Sequence, residues 1–198
     1  MNKNDRKLYI VECAKQLFVE NGFHNTSITD IVDKARIARS TFYAHFTSKI
    51  EIFSILVESF SGILLEAILG INISKATNRA NLSGEIKLMS IELVRALDGN
   101  RDLTILLITA SQGHDTNFDK IISDFYGGIL LAIRQLLVEG IEAGNIRNLN
   151  PDIVSFTILG NIKQILIQWL VYGEIDDIYG VLDDVGTFNL HGIAQGNA

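Results

Sequence analysis

The sequence is poor in the residues that punctuate β-structure and in those that do covalent or metal chemistry. Pro151 is the one proline in 198 residues, and the 16 glycines are scattered. Sandwiches and barrels need many tight turns, usually rich in both residues, so an all-β fold is excluded and an all-α fold is expected. The single cysteine, Cys13, has no partner for an internal disulfide, which excludes a disulfide-stapled scaffold. Cys13 reads instead as a small core residue in a helix stripe. His24, His45, His114 and His191 fall in no metal-ligand spacing. No glycine-rich phosphate loop, serine elbow or carboxylate pair stands out. An enzyme is therefore not expected, and neither a cofactor nor a metal is implied. No uninterrupted apolar run approaches 18 residues, so no membrane span is expected. The opening MNKNDRK is charged and lacks the apolar stretch of a signal peptide, so a soluble cytoplasmic protein is expected.

What is present is a large apolar fraction, 47%, against 20% charged residues, enough to bury a sizeable core. The net charge of −6 is uneven. Residues 1–50 carry eight Lys/Arg against five Asp/Glu, and the remainder carry nine against eighteen. A weakly basic head on an acidic body suits a nucleic-acid contact confined to one end.

Helical periodicity runs through most of the chain. Leu8, Val11, Leu17 and Phe18 form one stripe, stopped by Asn21-Gly22, so a helix is expected from about Asp5 to Glu20. Thr26 or Ser27 can cap a second, Ile28 to Ala35, with Asp30 in its first turn. Arg36-Ile37-Ala38 leads to a third, Arg39 to Phe46. Ser48-Lys49-Ile50-Glu51 reads as a capping box opening a helix to about Ile71, roughly 36 Å long at ~1.5 Å per residue. Residues 72–84 read as a loop, followed by helices Glu85 to Asp98 and Asp102 to Gln112. Phe118 to Ala143 is strongly periodic. Asn150-Pro151 opens a further helix to about Tyr172, with proline at its first position. That helix is apolar nearly all round and must be covered on several sides, either as a central core helix or by the same helix of a second chain.

Two short helices joined by about three residues have the arithmetic of a helix-turn-helix. On the second, Phe42 and Phe46 should pack inward, leaving Ser40, Thr41 and Ala44 outward. Small polar groups there suit base edges and thymine methyls. Tyr43 and His45 flank that face, and Arg39 can reach bases or backbone. Lys49 with the free N–H groups of the fourth helix, and Thr26 with Ser27 at the second, offer phosphate contacts.

The stretch Ile10 to Phe53, with Leu17-Phe18, Gly22-Phe23, Thr26-Ser27-Ile28, Asp30-Ile31, Thr41-Phe42-Tyr43, His45-Phe46 and Ser48-Lys49, resembles the DNA-binding domain of the TetR (tetracycline-repressor) family. The resemblance covers about a quarter of the chain and lies in the ordered spacing. It implies a homodimeric, ligand-responsive regulator, most often a repressor. By position it puts groove and phosphate contacts on Thr26, Ala38, Arg39, Ser40, Thr41, Tyr43, His45 and Lys49. Two departures matter. Arg36 stands where the family usually has glycine, and a left-handed non-glycine residue costs roughly 1–2 kcal/mol; Arg36 is also positioned for a phosphate contact. Ala38 stands where Ser or Thr often caps the recognition helix, losing about 1 kcal/mol of capping.

A domain division follows: residues 1–47 as the helix-turn-helix head, and 48–198 as an effector-binding and dimerisation body. Two heads spaced near ~34 Å would read a palindromic operator, with helices 118–143 and 151–172 of both chains as the dimer surface. The body is apolar with sparse polar groups. Glu66, Gln112, His114, Tyr126, Gln168 and Trp169 are the candidates to face an effector, expected to be hydrophobic or aromatic. The competing class is a helical dimer that binds a protein partner without DNA. Against it, the outward face of 39–46 carries no acid and no bulky apolar group.

Overall fold

The computed structural model describes residues 2–71, 73, 76, 79–110, 113 and 115–193. Among them the regular elements are all helices: α1 Lys3–Asn21, α2 Ile28–Ala35, α3 Arg39–Tyr43, α4 Lys49–Leu69, α5 Arg79–Gly99, α6 Arg101–Ile108, α7 Thr116–Glu142, α8 Pro151–Leu166 and α9 Ile178–Ile193. The α8 helix continues through a π-helical stretch, Ile167–Tyr172, and stops at Gly173, φ 66°.

Local chemistry explains most boundaries. Asn2 and Asp5 form a capping box at α1, Ser27 and Asp30 another at α2. Asn150 accepts from Asp152 and Ile153 N–H ahead of Pro151. At α4 the expected box is split. Ser48 Oγ accepts from Glu51 N–H at 3.4 Å, but the Glu51 carboxylate takes the N–H and hydroxyl of Thr47, at 2.7 and 2.8 Å.

Three expectations are corrected. The third helix ends at Tyr43 rather than Phe46, because Ala44 and His45 close a turn in which the N–H groups of His45 and Phe46 both donate to Phe42 O at 2.9 Å. Phe42 and Phe46 are nonetheless 0% and 1% exposed, as the wheel predicts. Residues 79–84, expected in a loop, open α5; there Leu82 is buried while Ser83 and Gly84 face solvent. The α9 helix had no expected counterpart, since Gly180, Gly186 and Gly192 dilute its apolar pattern. It is stable by packing on α5: Ile86 Cγ2 lies in ordinary van der Waals range of Gly186, 3.6 Å from where a Cβ would stand, and Lys87 pairs with Asp183 at 2.9 Å.

The chain forms two compact units, Met1–Phe60 with Asp102–Phe125, and Ser61–Arg101 with Tyr126–Ala198. This grouping differs from a single cut between residues 47 and 48, because part of α6 and the start of α7 belong with the head. In the first unit Phe23 lies 4.9 Å from Phe53 and 4.8 Å from Phe118, and Phe53 stacks on Phe118 at 4.9 Å. Such ring pairs contribute roughly 0.5–1.5 kcal/mol each beyond their burial. Cys13 is buried here, a small core residue.

In the second unit Arg134 of α7 pairs with Asp152 of α8 at 2.7 Å. The turn after α7 is drawn tight by Asn145 and Ile146 N–H, both donating to Gly140 O at 2.9 and 3.0 Å. Gly140 is needed there, since a Cβ would fall 2.5 Å from Ile146 Cδ1.

By length and composition α4, α7 and residues 151–172 are long and apolar enough to cross a membrane, with mean hydropathies of 1.9, 1.5 and 1.3. That corrects the expectation from uninterrupted runs, which a single charge interrupts. Only 33%, 33% and 22% of those windows are buried, so much of their apolar surface lies uncovered within one chain.

Candidate DNA-binding surface and effector residues

The helix-turn-helix is α2, the turn Arg36-Ile37-Ala38, and α3. Arg36 adopts the left-handed region, φ 51° and ψ 47°. Its N–H donates to Asp33 O and that of Ile37 to Val32 O, each at 3.1 Å. This is the paired closure of a left-handed helix stop, made with arginine instead of glycine. Ala38 leads into α3 without a side-chain cap, as expected.

With Phe42 and Phe46 locked inward, Arg39, Ser40, Tyr43 and Ala44 are exposed and Thr41 and His45 half-buried. The Arg39 guanidinium lies 5.9 Å from the Tyr43 ring centroid, so the cation is held against the flank of α3. Ser27 and Arg36 are exposed beside it. Asp30 accepts from Ser27 N–H and Oγ, both at 2.7 Å. Those bonds hold its carboxyl below the usual carboxylate range.

Two expected contacts are corrected. Thr26 is 1% exposed, its hydroxyl donating to Leu17 O at 3.1 Å and Gly22 O at 2.9 Å; it is an internal strut of the α1–α2 loop, not a phosphate ligand. The Lys49 ammonium is not a free anion site either. It donates to the carbonyls of Phe23, His24 and Thr26 at 2.7, 3.2 and 2.7 Å, and lies 4.5 Å from the Phe23 ring centroid. Burial holds it below the ordinary lysine range, opposed by Asp115 and Asp30. No sequence spacing signals this role, since the carbonyls lie more than twenty residues upstream. The surface that remains is a small polar face rimmed by a cation and a phenol, suited to major-groove base edges and phosphates.

Of the effector candidates, Gln112 and His114 lie outside the described residues. Glu66 is exposed on α4. Tyr126 is half-buried on α7, with Lys163 Nζ 4.9 Å from its ring centroid, and burial pushes its phenol up to about 12. Trp169 is buried in the π-helical stretch, with the Arg101 guanidinium 5.2 Å from its ring; Gln168 beside it is half-buried. No sequence motif marks Lys163 or Arg101, because a lone cation in a helical stretch carries none. A groove of about 280 Å³ between α5 and α9 is lined by none of the six.

The family described as "Bacterial regulatory proteins, tetR family" matches residues 10–54, which span α1, α2, α3 and the start of α4. The chain carries a TetR-family DNA-binding domain. The fatty acid metabolism regulator protein of Bacillus subtilis (strain 168) is 23% identical to this protein over 192 residues, covering 96% of this chain and 97% of that one. The solved fatty acid degradation regulator FadR of Bacillus halodurans superposes with a TM-score of 0.79 at 21% identity, over 97% and 98% of the two chains. FadR of Bacillus subtilis, solved in complex with stearoyl-CoA, gives 0.77 at 22% identity over 93% and 98%. For this protein the two solved structures establish the fold along almost the whole chain.

Proposed function

We propose that this protein is a homodimeric, cytoplasmic TetR-family repressor that binds a palindromic operator through α3 and leaves it when a long acyl ligand with an anionic head enters the body. The observation that carries the DNA half is the outward face of α3, where Arg39, Ser40 and Tyr43 stand exposed while Phe42 and Phe46 anchor the helix. Residues 1–47 supply the DNA contacts, from Ser27, Arg36, Ala38, Arg39, Ser40, Thr41, Tyr43 and His45. Residues 48–198 hold the effector and the dimer surface. Leu131, Ile153 and Phe156, at 64%, 58% and 56% exposure, give α7 and α8 an apolar face of the kind a second copy covers. The effector class rests on the likeness to proteins named for fatty acid metabolism, one of them bound to stearoyl-CoA, and on the expected apolar body. The α4 helix runs unbroken from Lys49 to Leu69, so a ligand beside it can alter the spacing of the two heads through its different affinity for two states.

Selection of bound duplexes from random DNA, followed by fluorescence anisotropy across a salt series, tests this. Enrichment of a palindrome with affinity falling steeply in log salt is expected, as is release by palmitoyl- or stearoyl-CoA. No enriched sequence would overturn the operator reading and favour a protein-binding helical dimer. A palindrome that no acyl ligand releases would overturn the effector class alone.

A further inference from the structure

We infer that Lys163 is the anion anchor of the effector site, its ammonium receiving the charged head of an acyl ligand whose chain lies along α7 and α8; this rests on the acyl-ligand reading above.

At ~100° per residue, Tyr126 falls within about 60° of Ile122, Ile129 and Ile133 on the α7 wheel, and those three are 1%, 8% and 8% exposed. Tyr126 is thus on the covered side of α7, opposite exposed Leu131. Lys163 is half-buried on α8 and lays its ammonium over that ring at 4.9 Å. The cation thus lies against a ring on the covered side of α7.

The other described cations of this unit have oxygen partners. Lys87 pairs with Asp183, Arg95 with Glu92, Arg101 with Asp98 and Arg134 with Asp152; Arg147 donates to the Gly192 carbonyl. Among the described side chains of the unit, Lys163 alone has only a ring face. An ammonium carries three donors, and a ring face satisfies little of that capacity. The acids nearest in sequence to the two residues are committed elsewhere: Asp124 accepts from Lys120 at 2.5 Å, and Asp152 is held by Arg134. The phenol, raised by burial, stays neutral at physiological pH and supplies no counter-ion. A half-buried lysine whose ammonium has no anionic partner, beside apolar helix faces, is complementary to an amphiphile with an apolar chain and an anionic end.

The experiment is equilibrium binding to the full-length protein of palmitoyl-CoA, palmitate and hexadecanol, each below its micelle concentration. Wild type is compared with Lys163→Met, Lys163→Gln, Lys163→Arg and the charge control Lys87→Met, with circular dichroism confirming fold. Lys163→Met should weaken the anionic ligands about tenfold or more while leaving hexadecanol unchanged. Lys163→Arg and Lys87→Met should stay near wild type. Loss for palmitoyl-CoA alone would place its phosphates at Lys163, and loss for palmitate as well would show that the ammonium takes the anionic end of either ligand. If Lys163→Met does not fold, Lys163→Gln decides. Unchanged anionic binding in the substituted protein, or equal loss for hexadecanol, would overturn the inference and leave the acyl reading standing. Failure of wild type to bind any of the three would overturn both.

Discussion

The Lys49 ammonium donates to the Thr26 carbonyl at 2.7 Å, tying the first turn of α4 to the entrance of α2. The same group holds Phe23 O and His24 O and covers the Phe23 ring, so one side chain closes the α1–α2 loop. Lys49→Met should cost about 2 kcal/mol, the scale of charge-assisted hydrogen bonds lost at a partly buried site. Lys49→Arg should recover little, because a planar fork does not match these converging carbonyls. Urea denaturation checks both; equal midpoints for wild type and Lys49→Met would refute the loop-closing role.

Arg36 separates strain from binding. Glycine relieves the left-handed conformation at φ 51°, so Arg36→Gly should raise stability by about 1 kcal/mol. If Arg36 also meets a phosphate, the slope of log affinity against log salt should shrink by about 0.9. Thermal melts and a salt series read the two effects independently. A Tm that falls would contradict the strain.

Thr41 is half-buried on the reading side of α3. Thr41→Glu sets a carboxylate against phosphate and base acceptors, and should abolish operator binding while leaving the dimer intact by sedimentation. Retained affinity would remove α3 from the groove.

Acid sensitivity follows from the cap carboxylates. Asp30 is held low by hydrogen bonds from Ser27, Glu51 by those from Thr47, and Asp115 by the N–H of Phe118. A carboxyl whose pKa is lower in the folded state favours the fold fully above its unfolded value of about 3.9–4.3, and that contribution is lost as pH falls through the lowered value. Stability should therefore drop on acidification below about pH 4. In Asp30→Asn the drop should be shallower. Denaturation midpoints across that range check it; identical slopes would exclude Asp30 as a contributor.

Much of the head was legible in the chain because its information is local. The apolar stripe stopped by Asn21-Gly22 placed α1, a cap at Thr26 or Ser27 placed α2, and the spacing of Phe42 and Phe46 fixed which side of the third helix faces inward. The αL turn at Arg36 was implied by the family resemblance, which has glycine there, and not by spacing. The body was less legible. Its α9 has a weak pattern of its own and exists by packing on α5, and the polar start of α5 became helical in the same exchange.

The sequence by itself determined the all-α class, the helix-turn-helix and the small polar face of α3, since periodicity and capping act within a few residues. Only the tertiary structure decided that Thr26 is an internal strut, that Lys49 spends its charge on three carbonyls, and that Lys163 keeps its own over Tyr126. Lys49 and Lys163 meet partners more than twenty residues away only when helices pack, Thr26 meets its own only when the α1–α2 loop folds back, and helical periodicity does not say which face of one helix meets which face of another.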